Sequence, residues 1–225
     1  MMKSIVLIVA LTLLSGVPFS PAMARDGQTR GLSLAVAQNL YDFIANAPQA
    51  NWQGHDPYRR RTYLLGFGEA TGEKGNVRWW HNHPVEDGSK PSRILETHPT
   101  WVSNGKIWGT FHNMPTSLQQ GDRFISQVGF RHGAGAGDTT FKVIIYYEIP
   151  GWEFCCHVTH SIRDTYDGKM KTLEFEIPEE VIGHKITSIV LMVEAGLSSS
   201  QDWAVWEGAR LERVNKTTFL PIIVK

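Results

Sequence analysis

Tryptophan and histidine meet in one short run of this sequence, Trp79-Trp80-His81-Asn82-His83. A flat indole can cover the apolar face of a pyranose ring, while imidazole and amide groups hydrogen-bond the ring's hydroxyls. Neighbouring side chains on a strand point to opposite faces, so both tryptophans cannot enter one core. We therefore predict a carbohydrate-binding site formed by Trp79, Trp80, His81 and His83, joined by Trp152. For any single tryptophan, a place in the core is the alternative.

The two histidines of this run also permit a metal site. If the strand continues, alternation places His81 and His83 on the same face as Trp79, and two imidazoles so spaced can share an ion. The stretch from Gly75 resembles the Gly-x5-His-x-His pattern of cupin metalloenzymes, but Glu86 comes too early and no later element supplies the third histidine. A metal-dependent, cupin-like enzyme is thus an alternative. A third ligand about 2.0–2.2 Å from a common point would favour it.

A second cluster, Cys155-Cys156-His157-x-x-His160, contains the only two cysteines of the chain. On a strand its side chains would alternate faces, so all four cannot meet at one zinc ion. The cysteines are expected to pack as small hydrophobes or to form a vicinal disulfide. Asp164 and Asp167 flank a turn and could bind a structural Ca²⁺, although a simple Asx turn is the commoner arrangement. No other cofactor is expected.

Catalytic signatures are few. The sequence has no Gly-x-Ser-x-Gly nucleophile motif, and its Gly-rich run 133–138 lacks the lysine of a phosphate-binding loop. A carboxylate pair for glycoside hydrolysis could be drawn from Asp138, Glu148 and Glu153, but nothing in the sequence singles them out. We expect a binding protein without catalytic activity. A structural interaction domain is a further alternative.

Charge and hydropathy limit the partners and the location. Lysine and arginine total 22, and aspartate and glutamate also total 22, which excludes a nucleic-acid binder that depends on bulk positive charge. Residues 1–24 have the pattern of a signal peptide: Lys3, an apolar run from Ile5 to Leu14, and the small-x-small site Ala22-Met23-Ala24. No later run reaches the roughly 18 apolar residues of a membrane span. We expect a periplasmic or extracellular protein without stable membrane insertion.

Periodicity predicts the elements that position these residues. Leu32, Val36, Leu40, Phe43 and Ala47 recur at helical spacing and predict an amphipathic helix over 31–46. Residues 49–113 suggest long loops and short strands. Five regular strands follow, with turn residues between them, at 124–130, 141–148, 173–177, 186–194 and 203–212. This pattern predicts a mainly β protein, an antiparallel sandwich with one N-terminal helix. The expected division is leader 1–24, helical extension 25–50 and sandwich domain 51–225.

Several motifs between Ser92 and Arg213 carry a more specific resemblance. They are Leu95-x-x-His98-Pro99, the run from Gly121 to Phe130, the strand beginning at Phe141, and Asp202-x-Ala204-x-Trp206-x-x-Ala209-x-Leu211. This half of the chain resembles secreted jelly-roll modules of the galactose-binding-like class, especially the NPCBM type found beside glycoside hydrolases. The resemblance implies a jelly-roll sandwich that binds a polysaccharide or glycoconjugate without catalysis.

Overall fold

The computed structural model describes residues 36–151 and 156–215. Within these ranges, one short α-helix, α1, spans Phe43–Asn46, and 3₁₀ turns lie at Ala47–Gln49, Gly72–Lys74 and Glu179–Val181. The strands are β1 (Val36–Asp42), β2 (Asn51–Asp56), β3 (Arg61–Leu65), β4 (Asn76–Trp80), β5 (Ile94–His98), β6 (Lys106–Phe111), β7 (Asp122–Phe130), β8 (Asp138–Glu148), β9 (Cys156–Thr165), β10 (Lys171–Glu176), β11 (Lys185–Ala195) and β12 (Ala204–Asn215).

The strands form two six-stranded sheets whose paired strands run antiparallel. The first sheet has the order β10-β7-β12-β5-β4, with β1 also paired to β12, and the second has the order β3-β2-β6-β11-β8-β9. From β5 to β12 the chain builds β5-β12-β7-β10 in the first sheet and β6-β11-β8-β9 in the second. This interleaving is the strand order of an eight-stranded jelly roll. The predicted jelly-roll sandwich is therefore confirmed.

The core lies between the two sheets and follows the two-residue alternation of the strands. In β8, Phe141, Val143 and Ile145 are fully buried, whereas the residues between them are partly exposed. Trp206 of β12 is also fully buried, and its ring meets that of Phe141 edge-on at 5.1 Å. An edge-on contact is a favoured geometry for buried aromatic rings. The tryptophan of the terminal motif is thus a core anchor.

The predicted helix over 31–46 is wrong for most of its described length. Residues Val36–Asp42 form β1, and only Phe43–Asn46 are helical, with the Asp42 carboxylate accepting a hydrogen bond from the Ala45 N–H at 2.8 Å. The pairing of β1 with β12 shifts register between Asn39 and Tyr41, so Leu40 and Tyr41 both pack against the core. Such a bulge breaks strict alternation, which explains the helix-like spacing. Pairing with β12 outweighed local propensity.

The outer faces of the two sheets differ in how far other residues cover them. The β4–β5 connection, residues 81–93, folds over the first sheet, where Val85, Ile94 and Val205 form a small cluster with no exposed surface. Val85 is held there by a β-bridge to Arg131. On the second sheet, the side chains that point away from the core are mostly half-exposed or exposed. Within the described ranges, no helix has the length and apolarity needed to cross a bilayer.

Some predicted features fall outside the described residues. They are the leader 1–24, the first part of the predicted helix, Cys155 and Trp152.

Candidate functional site

Trp79 and Trp80 point to opposite faces of β4, as predicted from the strand geometry. Trp79 is half-buried against the core between the sheets, and its indole N–H donates to the Ile44 carbonyl at 2.8 Å. The ring of Phe67 meets it edge-on at 5.1 Å, and the Arg93 guanidinium lies 5.0 Å from the ring centre. Trp79 therefore joins β4 to helix α1. Protein groups contact both its ring and its indole N–H.

Trp80 lies on the outer face of the first sheet. Its indole N–H donates to the fully buried Glu96 carboxylate at 2.8 Å. The guanidinium groups of Arg131 and Arg78 lie 4.4 and 5.0 Å from its ring centre, within cation–π distance. Both arginines also pair with Glu96, at 2.7 and 3.1 Å. The ring and N–H of Trp80 are thus engaged by protein charges, which leaves it less free to stack on a ligand.

The expectation that His81 and His83 share the face of Trp79 is wrong. Strand β4 ends at Trp80, and Asn82 adopts a left-handed backbone (φ 49°), which ends the alternation. The ring of His81 lies 6.5 Å from that of Trp79, whereas the ring of His83 lies 4.8 Å from that of Trp80. Burial and the neighbouring Arg131 charge lower the pKa of His83.

The metal interpretations gain no support from this geometry. His81 and His83 contact tryptophans on opposite faces of the strand. Among residues 36–151 and 156–215, no three His, Cys, Asp or Glu side chains are grouped so that they could hold a metal ion. The Asp164 carboxylate pairs with Lys171 at 2.7 Å, and that of Asp167 accepts from the Lys169 N–H at 3.0 Å. These contacts favour the Asx-turn interpretation over calcium.

The second cluster is also divided by strand alternation. In β9, His160 points inward and stacks on Phe175 at 3.7 Å, and burial lowers its pKa. His157 points outward beside Tyr146, with ring centres 5.5 Å apart. Cys156 is half-buried opposite Tyr147. The two histidines therefore lie on opposite faces of one strand and cannot share a zinc ion.

Trp108 occupies a place that the sequence did not indicate. It belongs to residues 49–113, for which the sequence suggests long loops and short strands. The structure has it in the middle of β6, where Ile107, Gly109 and Phe111 point into the core and Trp108 points outward, half-exposed. Position 109 favours glycine because a Cβ there would lie 2.6 Å from the ring of buried Trp52. Lys106 and Thr110 are polar and face outward, whereas Ile107 and Phe111 are apolar and face inward. This partial alternation is the signal that could have placed Trp108 on a half-buried strand.

Strand register aligns one outward-facing residue from each strand of the second sheet with Trp108. We call this set the Trp108 row, and in strand order it consists of Leu64, Gln53, Trp108, Met192, Lys142 and Ser161. Every member is exposed or partly exposed. Six strands spaced about 4.8 Å apart make the row roughly 24 Å long. It is an open strip with one indole near its middle and amide, amine and hydroxyl groups beside it.

Charged side chains near the row pair with one another. Lys142 and Lys106 both pair with the carboxylate of Glu194 on β11. Burial tends to raise the pKa of Glu194, but the hydrogen bonds and charges of the two lysines lower it overall. These three groups leave a net charge of +1, so the face presents hydrogen-bonding groups with only a weak positive field. That chemistry suits a neutral, polyhydroxylated ligand better than a strongly charged one.

No family model and no curated protein match this chain. Similar solved structures include the module TmCBM61 in complex with β-1,4-galactotriose, at 12% identity and a TM-score of 0.44, covering 78% of this chain and 99% of that one. Another is the C-terminal family 22 carbohydrate-binding module of Clostridium thermocellum Xyn10B, at 12% identity and a TM-score of 0.46, covering 80% and 97%.

A third similar structure is a Clostridium thermocellum family 11 carbohydrate-binding module with a β-1,3-1,4-mixed-linked tetrasaccharide. It has 14% identity and a TM-score of 0.40, and the match covers 72% of this chain and 95% of that one. All three of these structures are carbohydrate-binding modules.

Proposed function

We propose that this protein binds a polysaccharide or glycoconjugate without catalysis, through the Trp108 row of the second sheet. The observation that carries the proposal is the half-exposed indole of Trp108 in the middle of an open sheet face. Its strand neighbours are Gln53 on one side and Met192 on the other. An indole so placed can cover the apolar face of a sugar ring. The adjacent amide can then hydrogen-bond the ring's hydroxyls.

The shape of the row favours an internal stretch of a glycan chain. The row crosses all six strands of the second sheet and has exposed or partly exposed residues at both ends, Leu64 and Ser161. A ligand lying along it can enter and leave at either end, so chain ends are not required. Binding of this kind needs stacking area and hydrogen bonds but no proton transfer, so it requires no catalytic group.

The site predicted from the sequence stays a second proposal. It consists of Trp79, Trp80, His81 and His83, with Trp152. The contacts that Trp79 and Trp80 make within the protein occupy their N–H groups and place guanidinium groups against their rings. Binding there would need these contacts to rearrange. The Trp108 row needs no such rearrangement, and we prefer it for that reason.

The experiment that tests the proposed function is a glycan-array screen of the protein, repeated with a metal chelator. We expect retention of one class of neutral polysaccharide in both conditions, because stacking and amide hydrogen bonds need no metal. Incubating the retained glycan with the protein should release no new reducing ends. Absence of binding to every neutral glycan would overturn the proposal. Loss of binding with chelator would favour the metal interpretation instead.

The proposal includes export. Lys3, the apolar run Ile5–Leu14 and Ala22-Met23-Ala24 predict that the mature protein begins at Arg25 and acts in the periplasm or outside the cell. Intact-mass analysis of the exported protein should show a chain beginning at Arg25. Exported material that retains residues 1–24 would contradict this.

A further inference from the structure

The β2–β3 hairpin carries the longest run of like charge in the chain, Arg59-Arg60-Arg61. We call residues 56–64 the arginine hairpin. All three arginines are exposed, whereas its one acidic residue, Asp56, is buried. Three arginines and one aspartate give the hairpin a net charge of +2, in a chain whose formal net charge is zero. The hairpin is therefore a local positive surface whose charge the proposed function does not use.

The turn of the arginine hairpin has a fixed backbone. The Asp56 carboxylate accepts hydrogen bonds from the Tyr58 and Arg59 N–H groups, both at 2.9 Å. These are the bonds of an Asx turn, which sets the path of the chain just after the aspartate. Asp56 and Arg61 face each other across the paired strands, and between them Arg60 has a left-handed backbone (φ 51°). Because this backbone is already ordered, binding through its side chains costs less conformational entropy.

The guanidinium groups of the hairpin are available to an outside anion. Arg59 is the one arginine of the run that pairs with a carboxylate among residues 36–151 and 156–215. Its partner is Asp56 at 3.5 Å, but the Arg59 side chain is 67% exposed, so the pair is weak. The Arg61 guanidinium lies 5.3 Å from the ring centre of Tyr63. A guanidinium in contact with an aromatic ring keeps its fork of N–H donors, which can bind a phosphate group in a bidentate way.

The charged residues around the hairpin do not cancel its positive charge. Lys74 of the β3–β4 connection lies 5.9 Å from the ring centre of Tyr63, and its chain neighbour Glu73 offsets that added charge. The Glu69 carboxylate lies beside Gly66, just beyond the end of β3 that is farther from the turn. The excess positive charge therefore comes from the three arginines.

The same hairpin exposes apolar surface. Four large apolar side chains are exposed in the part of the chain that the structure describes, and two of them are Tyr58, at 70%, and Leu64, at 83%. Strand β3 is the edge strand of the second sheet, so none of the described strands covers its outer side. A dissolved anion would need only the arginines. An anionic bilayer also complements the apolar groups, because tyrosine favours the headgroup level and leucine the acyl boundary.

We propose that the arginine hairpin docks this protein reversibly on an anionic lipid bilayer. The guanidinium groups pair with lipid phosphates, Tyr58 lies among the headgroups, and Leu64 reaches the acyl boundary. Electrostatic attraction and buried apolar area both contribute to binding of this kind. One hairpin makes the contact, so the association is peripheral and requires no segment to cross the bilayer. The proposal does not depend on the proposed function.

Docking at this edge leaves most of the Trp108 row accessible. The strand order β3-β2-β6 places Trp108 two strands inward from the edge, about 10 Å away. Lipid would cover Leu64, the end of the row, and the other five members would extend away from the bilayer. A docked protein could thus bind a glycan beside the bilayer surface.

The test is co-sedimentation of the protein with lipid vesicles, in the absence of glycan. One set of vesicles contains phosphatidylglycerol and phosphatidylcholine in equal amounts, and the other contains phosphatidylcholine alone. At low salt we expect binding to the anionic set and little binding to the neutral set. Binding should be lost at about 1 M salt, where the Debye length is only about 3 Å.

Single substitutions identify the docking residues. Arg60→Ala and Arg61→Ala should each weaken binding about fivefold, as expected for the loss of one basic residue at an anionic surface. Leu64→Ser should also weaken binding, without changing its salt dependence. The matched control, Lys90→Ala, removes an exposed positive charge from the 81–93 connection over the first sheet and should bind like the wild type. All four side chains are exposed, so the melting temperatures should stay close to that of the wild type.

Three results would overturn the proposal. The first is equal binding to anionic and neutral vesicles at low salt. The second is binding of Arg60→Ala and Arg61→Ala that matches the control, which would leave the arginines only the role of keeping an edge strand from pairing with another chain. The third is retention on immobilised poly-aspartate without vesicle binding, since an acidic protein would then be the partner. Vesicle and polysaccharide binding are measured separately, so either proposal can fail while the other stands.

Discussion

The indole N–H of Trp80 donates to the buried carboxylate of Glu96 at 2.8 Å, across the paired strands β4 and β5. The same carboxylate accepts from Arg78 at 3.1 Å and from Arg131 at 2.7 Å. One buried negative charge thus holds three donors together. The arrangement explains why two arginines and a tryptophan gather beneath the 81–93 connection, and it gives this part of the site a structural role.

The first prediction concerns this carboxylate. Glu96→Ala would leave the two guanidinium groups without their buried counter-charge, so we expect the free energy of unfolding to fall by about 3–5 kcal/mol. Urea denaturation followed by circular dichroism measures it. The matched control is Glu174→Ala, which removes a half-exposed carboxylate paired with Arg123 and should cost less than about 1 kcal/mol. Equal effects in the two variants would contradict the structural role of Glu96.

The second prediction concerns the core side of β6. Gly109→Ala would place a methyl group 2.6 Å from the ring of Trp52, so the core must open locally to admit it. We expect a loss of about 1–3 kcal/mol in the free energy of unfolding. Gly135→Ala is the control, because the nearest atom to a Cβ there is 4.0 Å away. A Gly109→Ala variant as stable as the control would show that β6 does not pack against Trp52 in this way.

The third prediction concerns pH. Burial raises the pKa of Asp202 to about 7; the Asp138 N–H bonded to it opposes the rise, and the Asp138 carboxylate adds to it. A carboxyl whose pKa is higher in the folded state binds its proton more tightly there. Its stabilising contribution is therefore full below its ordinary pKa, near 3.8, and is lost as the pH rises towards about 7.

Asp202→Asn removes this titration and keeps an oxygen to accept from the Asp138 N–H, which donates to Asp202 at 2.9 Å. The melting temperature of the variant, relative to that of the wild type, should be higher at about pH 8 than at about pH 4.5. Glu86, whose pKa burial also raises to about 7, should preserve part of the wild-type pH dependence. Calorimetry at the two pH values is the measurement. A difference between variant and wild type that does not change with pH would refute the prediction.

Much of the fold could be predicted from the sequence because strand alternation carries the information. Leu173 and Ile177 are buried and Glu174 and Glu176 are exposed, as the alternation of that segment indicates. The five predicted strands are all present, in one or the other sheet. Strand β9 is not among the predicted strands, because Val158 and Ile162 are the only β-branched apolar residues in its otherwise largely polar segment.

The site was harder to predict because it depends on which face of each strand meets the core. Residues 106–111 alternate only in part, because apolar Trp108 faces outward and Gly109 has no side chain, so the packing of Gly109 against Trp52 is needed to place Trp108 outward. Strand alternation predicts one face for His81 and His83, whereas the left-handed backbone at Asn82 ends the alternation, and periodicity does not reveal it. A bulge similarly concealed β1, because it turned both Leu40 and Tyr41 inward.

The central claim is that Trp108 binds the glycan, and the most direct measurement is calorimetric titration of Trp108→Ala with the polysaccharide found on the array. Losing the stacking contact should weaken binding by about 1–3 kcal/mol, while the half-exposed position keeps the melting temperature close to that of the wild type. Trp80→Ala is the matched control and should retain most of the affinity while losing stability, because it leaves Glu96 without one of its donors. If Trp108→Ala binds like the wild type and Trp80→Ala does not bind, the Trp108 row is not the site and the cluster first predicted from the sequence is.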